Sequence, residues 1–178
     1  MSVLKNKPAG QRMITVIQGD YAVSTDPSVI LSTVLGSCVA VCLCDPVAKV
    51  GGMNHFLLAI GGDNDPADVK YGVNAMELLI NTILRNGADR RRLQAKAFGG
   101  ARMTAHARDI GASNAEFALG FLEREGITCL SKSLGGLLAR RVQFNPTTGA
   151  ARQLQITGSA PVEMVAPRPK PVPDITLF

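Results

Sequence analysis

The run Val39-Ala40-Val41-Cys42-Leu43-Cys44 constrains the fold of this chain more than any other segment. It is apolar at odd and at even positions, so as a strand it offers no face to water and belongs inside the protein. Both ends are marked. Gly36-Ser37 interrupts the extended region that precedes it, and Asp45-Pro46 supplies turn chemistry after it. A chain of 178 residues, 46% of them hydrophobic and 19% charged, can enclose one such core and is short for two.

The remaining elements follow from periodicity and punctuation. Met13 to Val23 reads as a first strand with a turn at Gly19-Asp20, and Val29 to Cys44 as a longer extended region broken at Gly36-Ser37. Val50 to Ile60 returns as an apolar strand, and Gly61 to Asp68 is a polar loop. Val73, Met76, Leu79, Ile80, Ile83 and Leu84 then recur at helical spacing up to a stop at Gly87. Leu93 to Phe98 predicts a strand running into Gly99-Gly100. Ser113 with Glu116 predicts a capped second helix that buries Phe117, Phe121 and Leu122 and closes at Gly126. Ile127 to Lys132 and Arg140 to Phe144 are further strands, and the turn Asn145 to Gly149 leads a closing hairpin strand over Gln153 to Ile156. About seven strands and two main helices predict an α+β fold, a single layered domain of mixed or antiparallel sheet over residues 1–157. From Gly158 five prolines fall in a stretch without periodicity, Pro161 to Pro173. Residues 158–178 are therefore expected to form an extended or disordered Pro-rich tail.

Several function classes are disfavoured. The formal charge of +5, with Arg90-Arg91-Arg92 and Arg140-Arg141, raises nucleic acid as a ligand, but aromatic content is 4%, tryptophan is absent, and no nucleic-acid-binding motif is present. The arginine runs read as solvated faces, and the charge as attraction to an acidic protein surface. Met1 to Thr15 lacks the apolar core of a signal peptide, and no later run approaches the roughly 20 apolar residues of a membrane span, so a cytoplasmic protein without membrane insertion is expected. Its four cysteines are then expected to stay reduced. Nothing in the sequence fixes an oligomeric state, and a monomer is the default expectation.

Cys38 follows Gly36-Ser37, where a glycine lets the chain turn sharply and leaves backbone N–H groups at Ser37 and Cys38 to face a developing oxyanion. His55 lies near the end of a neighbouring strand, close enough in sequence for its imidazole to take the thiol proton and return it to a leaving amine. A hydroxyl from Thr33 or Ser32 can hold the ring in one orientation. Cys42 and Cys44 alternate onto one face and read as core, as does Cys129, whereas His106 in its Arg-containing stretch reads as exposed. Zinc on Cys38, Cys42, Cys44 and His55 is disfavoured because C-x3-C-x-C on a strand spaces ligands awkwardly. Gly99-Gly100 lacks the Lys-Ser/Thr of a phosphate loop. No metal or organic cofactor is expected.

The run Leu35-Gly36-Ser37-Cys38-Val39-Ala40-Val41-Cys42-Leu43, with Asp45-Pro46 and Gly51-Gly52-Met53-Asn54-His55-Phe56, resembles the CheD family of chemoreceptor glutamine deamidases. Lys70 to Met76, Phe98-Gly99-Gly100-Ala101, Ile110-Gly111 with Asn114, Leu134-Gly135-Gly136, Arg140-Arg141-Val142 and Phe144-Asn145-Pro146 continue the likeness in order over residues 13–157. The resemblance implies hydrolysis of selected glutamine amides in methyl-accepting chemotaxis receptors. Cys38 would be the nucleophile, His55 the base and acid, and Thr33 the orienting hydroxyl, with Ser32 the alternative. It further implies receptors as protein substrates and a chemotaxis phosphatase as a second partner for some relatives. Two other readings remain open at this point: a non-catalytic adaptor of the same fold, and a redox sensor pairing Cys38 with Cys42 or Cys44.

Overall fold

The computed structural model describes residues 10–58, 66–103 and 109–158. Along the chain run β1 (Arg12–Thr15), β2 (Tyr21–Ser24), β3 (Val29–Leu35), β4 (Val39–Asp45), β5 (Val50–Asn54), α1 (Pro66–Arg85), β6 (Gln94–Gly99), α2 (Ile110–Arg124), β7 (Thr128–Leu134), β8 (Arg140–Phe144) and β9 (Ala151–Gln155), with a single 3-10 turn at Arg90–Arg92. One sheet has the order β1-β3-β8-β9 and the other the order β2-β5-β4-β6-β7. β1 pairs with β3 and β6 with β7 in parallel, and the other pairs are antiparallel.

The two-faced apolar run is the centre of this arrangement. Val39, Val41 and Leu43 pack with Met76, Leu79, Ile80 and Ile83 of α1 and Phe121 and Leu122 of α2. Cys38, Ala40, Cys42 and Cys44 point the other way, into a second core with Leu31, Leu35, Val142 and Phe144 of the four-stranded sheet. Strand alternation sorts one segment between two cores, so the protein is an α+β stack of sheet, sheet and helices. Each such side chain stabilises the fold by about 1.5–3 kcal/mol when fully buried.

The strand count differs from expectation for one reason. Both long extended segments change sheets where they break. The turn at Gly19-Asp20 separates β1 from β2, and Gly36-Ser37 separates β3 from β4, each passing the chain from the four-stranded to the five-stranded sheet. Nine strands result among the described residues. α1 begins within the expected loop, at Pro66, because proline fits the first helical position and Asp68 suits the positive end of the helix.

The cap of α2 is Asp109, not Ser113: its carboxylate accepts from Ala112 N at 2.9 Å. Ser113 lies inside the first turn, and its hydroxyl donates to the Asp109 carbonyl at 3.4 Å. Cys129 is half-buried rather than in the core, with its thiol donating to the Ser131 carbonyl at 3.4 Å. The expectations for His106, for residues 61–65 and for the tail from residue 159 lie outside the described residues.

The arginine runs are not simple solvated faces. Arg90 pairs with Glu125, Arg91 with Asp89 at 2.8 Å, and Arg92 with Asp45 at 2.8 Å. Arg140 is buried and donates through Nη1 to the Ser133 carbonyl at 2.6 Å and through Nη2 to the Gly135 carbonyl. Asp45, fully buried at the end of β4, also accepts from the N–H groups of Val47, Ala48 and Asp89 at 2.9–3.1 Å. Burial pushes its carboxyl up, but Arg92 and these N–H groups outweigh that and hold it well below the usual carboxylate range. Asp45→Ala is expected to lower stability by about 3 kcal/mol in urea titration, since it leaves those donors without their acceptor.

The same carboxylates are expected to contribute to the acid sensitivity of the fold. Asp45 and Asp89 both have folded pKa values below the ordinary 3.8, Asp89 at about 2 through its hydrogen bonds from Arg91. A group whose pKa is depressed by folding stabilises the protein above its unfolded value and loses that contribution as pH falls through the folded value. The melting midpoint is therefore expected to hold above about pH 5 and to fall between about pH 4 and pH 2. In Asp45→Ala the fall is shallower.

Candidate active site

Thr33 and His55 come from different sheets and meet at the seam between them. Leu31 and Leu35 of β3 point into the core between the sheets, so alternation places Thr33 on that face and Ser32 on the other. Thr33 Oγ1 donates to the Val16 carbonyl at 2.7 Å and lies 2.9 Å from His55 Nδ1. With its single proton given to Val16, the hydroxyl has only lone pairs to offer the ring. Nδ1 must then carry the ring proton, a placement supported by a second acceptor, the Val16 carbonyl, at 3.3 Å. Nε2 is left as the basic nitrogen. The imidazole is 3% exposed. Ser32 makes no such approach; its backbone carbonyl accepts from Val16 N at 2.8 Å.

Cys38 shares a sheet face with His55. Val39 and Phe56 form an antiparallel bridge, Val39 N donating to the Phe56 carbonyl at 3.0 Å and Phe56 N to the Val39 carbonyl at 2.9 Å. That register sets His55 opposite Ala40 and makes Cys38 its diagonal neighbour, within side-chain reach. The thiol is fully buried and donates to Gln18 Oε1 at 3.1 Å.

The turn that carries the thiol is held by its carbonyls. Gly36 O accepts from Ala101 N at 2.8 Å, Ser37 O from Asn114 Nδ2 at 3.1 Å, and Cys38 O from Gly100 N at 2.7 Å. In a trans peptide the C=O and the following N–H point oppositely, and no peptide among the described residues is cis. The N–H groups of Ser37 and Cys38 are therefore aimed away from β6 and α2. Val39 N–H, engaged by Phe56, is no oxyanion donor. Asn114, fully buried on α2, also accepts from Leu58 N at 2.7 Å and so ties the turn at Cys38 to the segment following His55.

Cys42 and Cys44 are further thiols on the same strand face as Cys38. Both are buried, and burial pushes both thiols up. Four residues of strand separate Cys42 from Cys38 by about 13 Å, well beyond the roughly 7 Å that a disulfide spans between Cα atoms. The redox pairing is disfavoured on both grounds. Among the described residues no group of three or more His, Cys, Asp and Glu side chains is placed to hold a metal ion, and no helix is long and apolar enough to cross a membrane.

Gln18 and Asn114 were the residues whose contacts sequence reading missed. Gln18 gave no signal, being a lone amide before a Gly-Asp turn. Asn114 was visible only as a residue in the start of a helix, and its contact lies 77 positions away.

A thiol and an imidazole of fixed tautomer on one sheet face, with a carbonyl-anchored turn behind the sulfur, can supply a nucleophile and a general base for hydrolysis. The family model CheD, described as CheD chemotactic sensory transduction, matches residues 59–154. A protein of Ruegeria sp. (strain TM1040) named probable chemoreceptor glutamine deamidase CheD 1 is 55% identical over 143 residues, covering 80% of this chain and 76% of its own length. The probable chemoreceptor glutamine deamidase CheD of Zymomonas mobilis subsp. mobilis (strain ATCC 31821 / ZM4 / CP4) is 50% identical over 170 residues, 94% of this chain and 93% of its own. The chain belongs to the CheD family. Among solved structures, the Bacillus licheniformis hypothetical protein YfiH aligns with 70% of this chain and 60% of its own at a TM-score of 0.45 and 14% identity, a partial likeness that carries no functional argument. The segment matched by the family model begins beyond Cys38 and His55.

Proposed function

We propose that this protein, a CheD family member, hydrolyses glutamine side-chain amides of chemoreceptors to glutamate through Cys38, His55 and Thr33. The observation that carries the mechanism is the Thr33 hydroxyl between the Val16 carbonyl and His55 Nδ1, because it fixes which ring nitrogen is basic. The thiol proton passes to Nε2, and the sulfur attacks the carboxamide carbon as the C=O pair moves to oxygen. Ser37 and Cys38 N–H groups, opposed to the anchored carbonyls of Gly36 and Ser37, receive that oxyanion. Collapse expels ammonia with the proton from His55. Water, deprotonated by the same nitrogen, then cleaves the thioester and restores the thiol.

In the same proposal the protein works in the cytoplasm as a monomer on receptor signalling segments, where a chemotaxis phosphatase also binds it. The test is mass spectrometry of a receptor cytoplasmic fragment incubated with the protein. The expected result is conversion of defined glutamines to glutamates. Binding without conversion across the receptors of one cell would favour the adaptor instead.

The orienting role separates two hydroxyls. Thr33→Val keeps the shape and removes the acceptor at Nδ1, and is expected to lower kcat by about 10–100-fold with little change in KM. Ser32→Ala, on the opposite face of β3, is expected to leave kcat within about twofold. Steady-state ammonia release from the receptor fragment reads both.

A further inference from the structure

We propose that Gln18 is a further catalytic residue. Its carboxamide accepts the Cys38 S–H bond at rest and, once that proton has passed to His55, turns its Nε2–H toward the thiolate. The inference rests on the nucleophile reading given above.

Burial of the sulfur creates the need for a donor. Cys38 is 0% exposed, so a thiolate formed there has lost its water and needs donors from the protein. The N–H of the next residue, Val39, already serves Phe56. Gln18 Oε1 lies 3.1 Å from the sulfur, on a half-buried side chain. The two ends of a carboxamide are nearly isosteric, one an acceptor and one a donor, so half a turn about the last side-chain torsion matches either protonation state of sulfur. No bond to Gln18 is made or broken. The proton leaves Sγ for His55 Nε2, and the amide answers the charge left behind.

The placement of Gln18 is fixed from both sides by the other two site residues. Val16 receives the Thr33 hydroxyl on its carbonyl and donates its N–H to the Ser32 carbonyl. Gly19 N donates to the His55 carbonyl at 2.7 Å. The segment Val16 to Gly19 thus runs from the orienting hydroxyl to the base and delivers its one amide side chain to the nucleophile.

The test is alkylation of Cys38 by iodoacetamide as a function of pH, followed by peptide mass mapping on the full chain, for wild type, Gln18→Met and Gln18→Glu. The methionine variant keeps length without donors or acceptors, and its alkylation midpoint is expected to rise by about one pH unit. Its kcat on the receptor fragment falls about tenfold with KM within about twofold. The glutamate variant sets a like charge against the thiolate and moves further in the same direction. Melting curves report the fold of each variant. Alkylation profiles that superpose on wild type overturn the proposal. So does faster alkylation of the methionine variant at every pH, which makes Gln18 a cover over the thiol only. Alkylation needs no receptor, so failure of the deamidase reading and failure of the Gln18 reading give different results.

Discussion

Cys38→Ala is expected to abolish glutamine-to-glutamate conversion, lowering the rate by at least about a thousandfold, while the protein stays folded. In the proposed mechanism Cys38 forms the thioester that divides the reaction into two steps, and neither His55 nor an oriented water would replace it within that barrier. The structural cost is small. Cys38 is buried in the core between the sheets, and replacing it removes one sulfur atom, which costs about 1 kcal/mol of packing. Cys42→Ala is the matched control: its thiol is buried on the same strand face and held protonated by that burial. It should lose similar stability and keep its turnover. Mass spectrometry of the receptor fragment and urea denaturation of both variants check this, and residual conversion by Cys38→Ala would falsify the nucleophile assignment.

Gly99→Ala is expected to have the largest effect among substitutions that remove no chemical group. Gly99 has φ +111, where side chains are strained, and a Cβ added there would overlap the Cys38 carbonyl oxygen. That carbonyl is the one held by Gly100 N. Strain and overlap together cost about 4 kcal/mol, and relief requires the nucleophile turn to move. A fall in kcat of about 100-fold is expected alongside the stability loss, because a displacement near 1 Å at the reacting sulfur is enough for it. Gly126→Ala separates the two causes. Its φ is +66 with nothing within 4 Å of an added Cβ, so it costs about 1 kcal/mol and leaves kcat unchanged. Equal effects from the two substitutions would remove the contact with Cys38 from the explanation.

The layered core and the pair Cys38 and His55 were legible because their signals are local. Residues 39–44 declare a two-faced strand, and a thiol after Gly36-Ser37 with a histidine on the next strand declares two groups that short connections bring near one another. Thr33 and Ser32 could not be separated by residue type. The pleat separates them, because Leu31 and Leu35 fix which side of β3 faces inward. The cap of α2 was misread because Ser113 with Glu116 satisfies a capping box in sequence. The helix in fact starts earlier, where Gly111 packs so close to the segment after β6 that an added Cβ would lie 2.5 Å from the Ala101 carbonyl oxygen. Gln18, Asn114 and the Asp45–Arg92 pair were hidden for a common reason. Their contacts span 20, 77 and 47 positions and exist only once strands have chosen their sheets.

The pairing of β3 with β8 has a consequence in time. Thr33 lies opposite Val142, and Leu31 opposite Phe144, so the inner face of the four-stranded sheet closes only across most of the chain's length. Such long-range closure makes folding slow, since a large loop must lose its freedom before any contact rewards it. On the ribosome, the strand that aims the orienting hydroxyl waits for the last quarter of the polypeptide to emerge. Until then the apolar edge of β3 and the thiol of Cys38 are open to other chains. The nascent protein carries the Cys38 sulfur well before the structure that buries it.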